Sequence, residues 1–174
     1  LFPYTTLFRS RATLLWELGR ADAIPPDFAE ALCAAVDRHY LHDFPLRLED
    51  VPAGRDPIRD VMCHCGLGTV VQLLAACGVD ALGRLPWVLP WCARYQLPDG
   101  GLNCDEAAYT RPTPRGSVVS TLPLLEAVLA LAPAAPGAGA FLDRGAEYLL
   151  ARRLWRSVSR GGAPIHEGWL RPSF

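Results

Sequence analysis

The chain has 174 residues, a formal net charge of −1 at pH 7 and a hydrophobic content of 51%. This length is enough for one domain with its own hydrophobic core. The charged residues form no basic stripe, so we expect no nucleic-acid partner. No apolar run reaches the roughly 18 residues that a membrane-spanning helix needs, so we expect no transmembrane segment.

Six cysteines are present, and two of them, Cys33 and Cys77, fall on apolar helical faces. Nothing in the sequence resembles a signal peptide. We therefore expect reduced thiols and a cytoplasmic location.

The first ten residues, LFPYTTLFRS, resemble the translation of a sequencing-library adapter. We therefore expect residues 1–10 to be a non-native segment outside the fold. The last residues carry no helix-ending punctuation. We interpret residues 11–174 as a fragment of one domain that is truncated at both ends.

Apolar residues recur at helical spacing along most of the chain. In chain order, this periodicity predicts helices over residues 13–19, 28–40, 58–77, 85–95, 117–131 and 141–155. The last of these helices is predicted to bury Leu142, Ala146, Leu149 and Leu150. Loops are predicted over residues 42–56, 110–114 and 157–174. No segment alternates with a period of two for long, so the predicted fold class is all-α.

Residues that favour helix ends refine these boundaries. Asp27, with Glu30 three residues later, has the pattern of a capping box. Pro90 is expected to kink the helix over residues 85–95. Pro123 leaves two alternatives open for the helix over residues 117–131, which either kinks at the proline or starts at Thr121.

The helical segments contain a weak internal repeat. Residues 69–75, TVVQLLA, align with residues 121–127, TLPLLEA. Each unit is an apolar helix, a short connector and a more amphipathic helix. Such a unit cannot bury its own apolar face, so we expect it to stack on its neighbours.

Residues 91–102, WCARYQLPDGGL, resemble the repeat of the squalene and terpenoid cyclases and of the protein prenyltransferase β subunits. Leu102 stands where that repeat has an aromatic residue. Residues 144–149 resemble the start of a second copy, and residues 150–174 are similar to uncharacterised bacterial members of the group. The resemblance covers residues 62–174 and implies an α/α toroid, of which this chain would hold about three helical hairpins.

The catalytic motifs of that group do not carry over to this chain. The Asp-x-Asp-Asp motif of the cyclases is absent, and Asn103-Cys104-Asp105 replaces the Asp-x-Cys of the prenyltransferase zinc site. The resemblance implies an enzyme that acts on an apolar, isoprenoid-like small molecule. The alternative is a non-catalytic helical toroid that binds a partner or a small molecule.

Two short segments concentrate reactive side chains: Cys63-His64-Cys65, and Cys104 with Asp105. Thiolates and imidazoles are ligands that zinc prefers. We predict one zinc site from all five residues, with side chains of the two segments within about 6 Å of each other. On one helix, however, Cys63 and Cys65 would point about 200° apart. The alternative is therefore two small packed cysteines and a core or capping histidine.

The same residues could carry nucleophilic catalysis. Cys104 and His64 would form a thiolate–imidazole pair, with Asp105 or Glu106 orienting the ring. This gives Cys104, Asp105 and His64 as predicted catalytic residues.

Four residues are predicted to bind substrate: Asp99, Glu106, Arg115 and Trp91. Arg115 could receive a diphosphate or a carboxylate, and Trp91 could line an apolar wall. The alternatives are that Asp99 holds the turn over residues 98–101 through backbone hydrogen bonds, that Arg115 is a solvated surface residue, and that Trp91 belongs to the core.

A partial toroid would leave apolar helix faces without partners. We therefore expect self-association. The residues predicted to be exposed in this way are Val70, Leu74, Leu122, Leu125 and Val128.

Overall fold

The computed structural model describes residues 11–170, apart from the side chain of Trp169. The predicted non-native residues 1–10 and the last four residues therefore lie outside the described part. Within it, seven helices follow one another: α1 (11–17), α2 (Pro26–His39), α3 (His64–Ala76), α4 (Ala81–Arg84), α5 (Val88–Tyr95), α6 (Val118–Leu131) and α7 (Ala138–Ala151). Residues 11–170 contain isolated β-bridges and no strand, so the all-α prediction is confirmed.

Helices α3 and α6 cross at the centre of the fold, in close backbone contact. A Cβ atom on Gly68 would lie only 2.4–2.6 Å from backbone atoms of Pro123 and Leu124. The amide of Gln72 donates a hydrogen bond of 3.0 Å to the carbonyl of Pro123. The two segments that align in the internal repeat therefore pack directly against each other.

This crossing buries most of the apolar face that was predicted to lack partners. Val70, Leu74, Leu125 and Val128 are all at most 6% exposed, and only Leu122 is exposed, at 39%. The prediction for the other four residues is wrong because α3 and α6 cover each other. Self-association stays a prediction, but it must rest on other residues.

Helix α3 begins at His64, six residues later than the sequence predicts. The carboxylate of Asp56 accepts hydrogen bonds from the backbone N–H groups of Ile58 and Arg59. Asp60 in turn accepts a hydrogen bond from the N–H of Asp56. These local bonds hold a turn in place of a helix.

The predicted capping box at Asp27 and Glu30 does not form, because α2 already begins at Pro26. Proline is well suited to this first position, where its missing N–H would have no helical partner. Pro90 likewise falls in the first turn of α5, which begins at Val88. It therefore removes no helical hydrogen bond there.

The structure resolves the two alternatives for the start of α6 in favour of the earlier one. Ser117 occupies the N-cap position, and the helix continues through Pro123. In α7 the buried face consists of Ala138, Phe141, Gly145 and Tyr148. The predicted burial of Ala146 and Leu150 is wrong, because both lie on the exposed side of this helix.

Candidate metal centre

Three thiols from two distant segments meet in the structure. The Sγ atoms of Cys63 and Cys65 are 3.3 Å apart, and those of Cys65 and Cys104 are 3.7 Å apart. All three Sγ atoms lie within 4.8 Å of one another, and all three residues are half-buried. The predicted proximity of the two reactive segments is confirmed, with Cys65 between the other two thiols.

Cys63 and Cys65 point the same way because only one of them belongs to the helix. Cys63 is the N-cap residue of α3, and its backbone is extended, with φ −74° and ψ 156°. The expected divergence of about 200° holds only between two helical residues, so that prediction is wrong. Gly66 leaves room for the arrangement, since a Cβ there would lie 3.2 Å from the Sγ of Cys63.

The loop that carries Cys104 is fixed to the first turns of α6. The N–H of Cys104 donates to the Oγ of Ser120 (3.0 Å), and the N–H of Leu102 donates to the Oγ1 of Thr121 (2.8 Å). The side-chain amide of Asn103 donates to the carbonyl of Arg115 (2.8 Å). Because α6 also packs on α3, this loop is held over the beginning of α3.

His64 is fully buried, and both of its ring nitrogens have hydrogen-bond partners other than the thiols. The indole N–H of Trp91 donates to Nδ1 (2.8 Å), and Nε2 lies 2.9 Å from the hydroxyl of Tyr109. An indole can only donate, so Nδ1 is unprotonated and Nε2 carries the proton. Burial lowers the pKa of His64 to about 4, which leaves the ring neutral at pH 7. In this structure neither nitrogen is left for a metal ion or for Cys104.

The hydroxyl of Tyr109 connects the two segments that carry the thiols. It accepts hydrogen bonds from Nε2–H of His64 and from the N–H of Asn103 (3.2 Å), and it donates to the carbonyl of Tyr95 (3.0 Å). Burial raises the pKa of this phenol above its ordinary value, so it keeps its proton. The role of Tyr109 was not predictable from the sequence, because a single tyrosine next to a polar loop matches no motif.

The two acidic residues next to Cys104 do not join the thiols. The carboxylate of Asp105 accepts a hydrogen bond from the N–H of Ala107 (3.0 Å) and lies 3.4 Å from Arg111. It thus caps the short 3₁₀ turn Glu106–Ala108. Glu106 is exposed on that turn. Of the five predicted ligands, the structure brings together the three cysteines.

Asp99 holds the turn over residues 98–101, as the simpler alternative proposed. Its carboxylate accepts hydrogen bonds from the N–H groups of Gly101 (3.2 Å) and Gly116 (3.0 Å). It also forms a 2.9 Å ion pair with Arg152, which follows α7 and is only 9% exposed. All these bonds occupy the carboxylate with structural partners.

The other two predicted binding residues differ in burial, since one lies in the core and the other at the surface. Trp91 is 2% exposed and belongs to the core, where its ring packs edge-on against Tyr95. Arg115 is exposed at the surface. The structure therefore does not bring the four predicted binding residues into one pocket.

A groove of about 330 Å³ reaches one of the three cysteines. It runs between α1 and α3 and is open to solvent on one side. Cys65 lines it, together with Glu17 of α1 and Thr69 of α3. The central thiol of the three is thus reachable from outside.

A scan against protein-family models finds no match to this chain, and searches of curated proteins and of solved structures also find none. The resemblance to the cyclase and prenyltransferase repeat therefore stays an expectation. No helix in residues 11–170 is both long enough and apolar enough to cross a bilayer.

Proposed function

We propose that this chain is a zinc-binding α-helical domain in which Cys63, Cys65 and Cys104 are the protein ligands. The observation that carries the proposal is the convergence of their three Sγ atoms within 4.8 Å. Two of the thiols come from the beginning of α3, and the third comes from a loop 39 residues further along the chain. Such a cluster requires the whole central fold to assemble.

The spacing of the sulfur atoms suits a tetrahedral zinc ion. A Zn–S bond of about 2.3 Å and tetrahedral angles imply sulfur atoms about 3.8 Å apart. The distances of 3.3 Å and 3.7 Å from Cys65 to its two neighbours are close to that value. Thiolates are soft ligands, which favour zinc over magnesium or calcium.

Hydrogen bonds with the thiols of Cys104 and Cys63, together with burial, raise the pKa of Cys65, so a metal ion must displace its proton on binding. The position of the cluster at a helix N-terminus favours this loss of the proton. Cys63 caps α3, a helix of 13 residues, and Cys65 lies in its first turn. The partial positive charge at a helix N-terminus stabilises nearby thiolates.

The number of ligands favours a site that exchanges its fourth ligand. Structural zinc sites usually have four protein ligands, whereas catalytic sites have three and keep one position for water or substrate. Within the described residues, the group that could hold an ion has three members. This observation favours an enzyme over a non-catalytic domain.

The substrate class and the toroid follow from the resemblance alone. We propose an α/α toroid and an apolar, isoprenoid-like substrate, and the direct packing of the two repeat segments in α3 and α6 supports stacked units. The alternative is a non-catalytic toroid that binds a partner or a small molecule. In that case the metal would have a structural role, with a fourth ligand that does not exchange.

A cobalt titration of the reduced protein tests the metal site. Cobalt bound tetrahedrally by thiolates gives charge-transfer and visible absorption bands, and zinc should displace it. We expect the bands to saturate at one cobalt per chain. Cys63→Ser, Cys65→Ser and Cys104→Ser should each weaken binding. Exchange of the fourth ligand would appear as a change in the bands when a small thiol or cyanide is added.

Two control variants test whether other residues that could bind metal contribute to the cobalt bands. Cys77→Ser changes a thiol at the opposite end of α3, and Asp105→Asn changes the predicted ligand that caps the 3₁₀ turn. Both should leave the bands unchanged. If the unmodified chain gives no bands, or if none of the three ligand variants weakens them, the proposed function is wrong.

A further inference from the structure

We propose that Cys63 and Cys65 are a redox pair, which hydrogen peroxide or another small peroxide converts to an intramolecular disulfide. Where zinc is bound, this oxidation expels it. The second statement rests on the proposed function, whereas the disulfide itself does not. The thiols would then act as a peroxide-sensitive control of the metal site.

The geometry favours this pair over other pairs of thiols. Of its two neighbours in the cluster, the Sγ of Cys65 lies closer to that of Cys63, at 3.3 Å. A disulfide bond is about 2.05 Å long, so the two atoms need to approach by roughly 1.2 Å. The extended backbone of Cys63 already directs both side chains to the same side of the α3 N-terminus. Cys104 is farther from Cys65, at 3.7 Å, and its loop is held by Ser120.

Access favours oxidation of this pair over the two cysteines of the core. Cys65 lines the groove between α1 and α3, whose volume of about 330 Å³ far exceeds that of a peroxide molecule. Cys33 and Cys92 are each 1% exposed in the core. Because oxidation follows exposure and thiolate character, we expect the pair at the beginning of α3 to react before these two.

The reaction balances without a further reagent. Peroxide transfers one oxygen to a thiolate of the pair, which becomes a sulfenic acid while the O–O bond breaks and hydroxide leaves. The second thiolate then attacks the sulfenic sulfur, forms the S–S bond and expels a second hydroxide. Overall, the two thiolates lose two electrons and peroxide gains them. A small thiol can reverse the step by disulfide exchange.

The metal is lost because the disulfide removes two of its three protein ligands. Disulfide sulfur no longer has the charge with which a thiolate binds zinc. Cys104 then remains as a single protein ligand, which is too few to retain the ion. Reduction of the disulfide restores the three thiolates and should restore binding.

Peptide mapping of the metal-free, reduced chain tests the disulfide. The protein is treated with about one equivalent of hydrogen peroxide, alkylated and digested with trypsin. Trypsin cuts after Arg59 and Arg84, so a Cys63–Cys65 bond stays within the peptide of residues 60–84. A bond from Cys65 to Cys104 would instead join this peptide to the peptide of residues 95–115.

We expect the peptide of residues 60–84 to lose two hydrogens and to carry an alkylated Cys77. Cys104→Ser should form the same product, whereas Cys63→Ser and Cys65→Ser should not. Two results would overturn the redox pair. One is a joined peptide, and the other is that Cys63 and Cys65 are still alkylated in protein that was first treated with peroxide.

A second measurement separates the inference from the proposed function. Zinc-loaded protein is treated with peroxide, and zinc release is followed with a coloured chelator. We expect release to match disulfide formation in amount and to reverse when a thiol reductant is added. If the chain binds no zinc but forms the disulfide, the proposed function fails and the redox pair stands. If zinc binds and stays bound while Cys63 and Cys65 resist peroxide, the redox pair fails and the zinc site stands.

Discussion

The hydroxyl of Tyr109 fixes the relative position of the two segments that carry the thiols. We expect Tyr109→Phe to lower the free energy of unfolding by about 2 kcal/mol, because the buried N–H of His64 loses its acceptor. Cobalt binding should weaken as well, since the loop before Cys104 loses its bond to Tyr109 through Asn103. Urea denaturation and the cobalt titration measure the two effects.

Tyr148→Phe is the matched control for this variant. The hydroxyl of Tyr148 is buried next to the Thr121 side chain, but among the described residues it makes no hydrogen bond of good geometry. Removing it should leave stability unchanged or raise it. Equal losses in the two variants would show that the hydrogen bonds of Tyr109 do not contribute as described.

The buried neutral ring of His64 makes the metal-free protein sensitive to acid. Its pKa is about 4 in the folded chain, against 6.5 for an ordinary histidine. The unfolded chain therefore takes up a proton first as the pH falls, so stability is full above pH 6.5 and declines toward pH 4. The loss should amount to about 3 kcal/mol.

Urea denaturation at a series of pH values, with His64→Gln beside the unmodified chain, measures this loss. The variant has no titrating ring, so its stability should fall less across the same range. Parallel curves for the two proteins would contradict the assignment of His64 as a buried neutral residue.

The sequence could predict part of this site and not the rest. The two reactive segments could be placed near each other, because the repeat returns the chain to the end it left. The partners of His64 could not be predicted, since Trp91 and Tyr109 lie 27 and 45 residues away. The orientation of the Cys63 side chain could not be predicted either, because it depends on where α3 begins.

At the scale of helices, the crossing of α3 and α6 depends on the absence of a side chain at Gly68. We expect Gly68→Ala to destabilise the protein by about 1–3 kcal/mol, because the new methyl group would overlap backbone atoms that cannot rotate away. Chemical denaturation measures the change. The backbone atoms concerned belong to Pro123 and Leu124.

Gly139→Ala provides the comparison, because no heavy atom lies within 4 Å of the added Cβ in α7. Alanine favours helix more than glycine, so this variant should be neutral or up to about 1 kcal/mol more stable. A similar loss at both glycines would mean that the close crossing does not determine the effect.

The presence of a helix was easier to predict than its first and last residues, because side-chain hydrogen bonds to nearby backbone groups decide where it begins. Ile58 fits the helical periodicity of α3, yet it is 87% exposed and lies in the preceding turn. The hydrogen bonds that the Asp56 carboxylate accepts from the N–H groups of Ile58 and Arg59 hold this turn. Hydrophobic periodicity carries no information about such bonds. The apolar stretches themselves did predict that α3 and α6 would be helices.

At the scale of the molecule, zinc should stabilise the whole fold. Binding to the folded state alone contributes about 3 kcal/mol when free zinc is 100 times its dissociation constant. For a chain of 174 residues, this corresponds to a rise in melting temperature of about 5–10 °C. Thermal unfolding with zinc and with a chelator measures it. Cys104→Ser should show little rise, and an equal rise in that variant would indicate binding elsewhere.

The all-α class was predictable because no segment has the alternation of a strand. The packing order was not, because the contact between Gln72 and Pro123 joins positions 51 residues apart. No local pattern reports a contact of that span. The arrangement of the helices therefore had to come from the structure.

The separation of the thiols along the chain also has a consequence during protein synthesis. Cys104 follows Cys65 by 39 residues, which a ribosome adds in about 2–8 s at 5–20 residues per second. For that interval the nascent chain presents Cys63 and Cys65 as a dithiol without its third ligand. Translation speed thus sets the shortest time for which these two cysteines meet the surrounding oxidants before Cys104 is made.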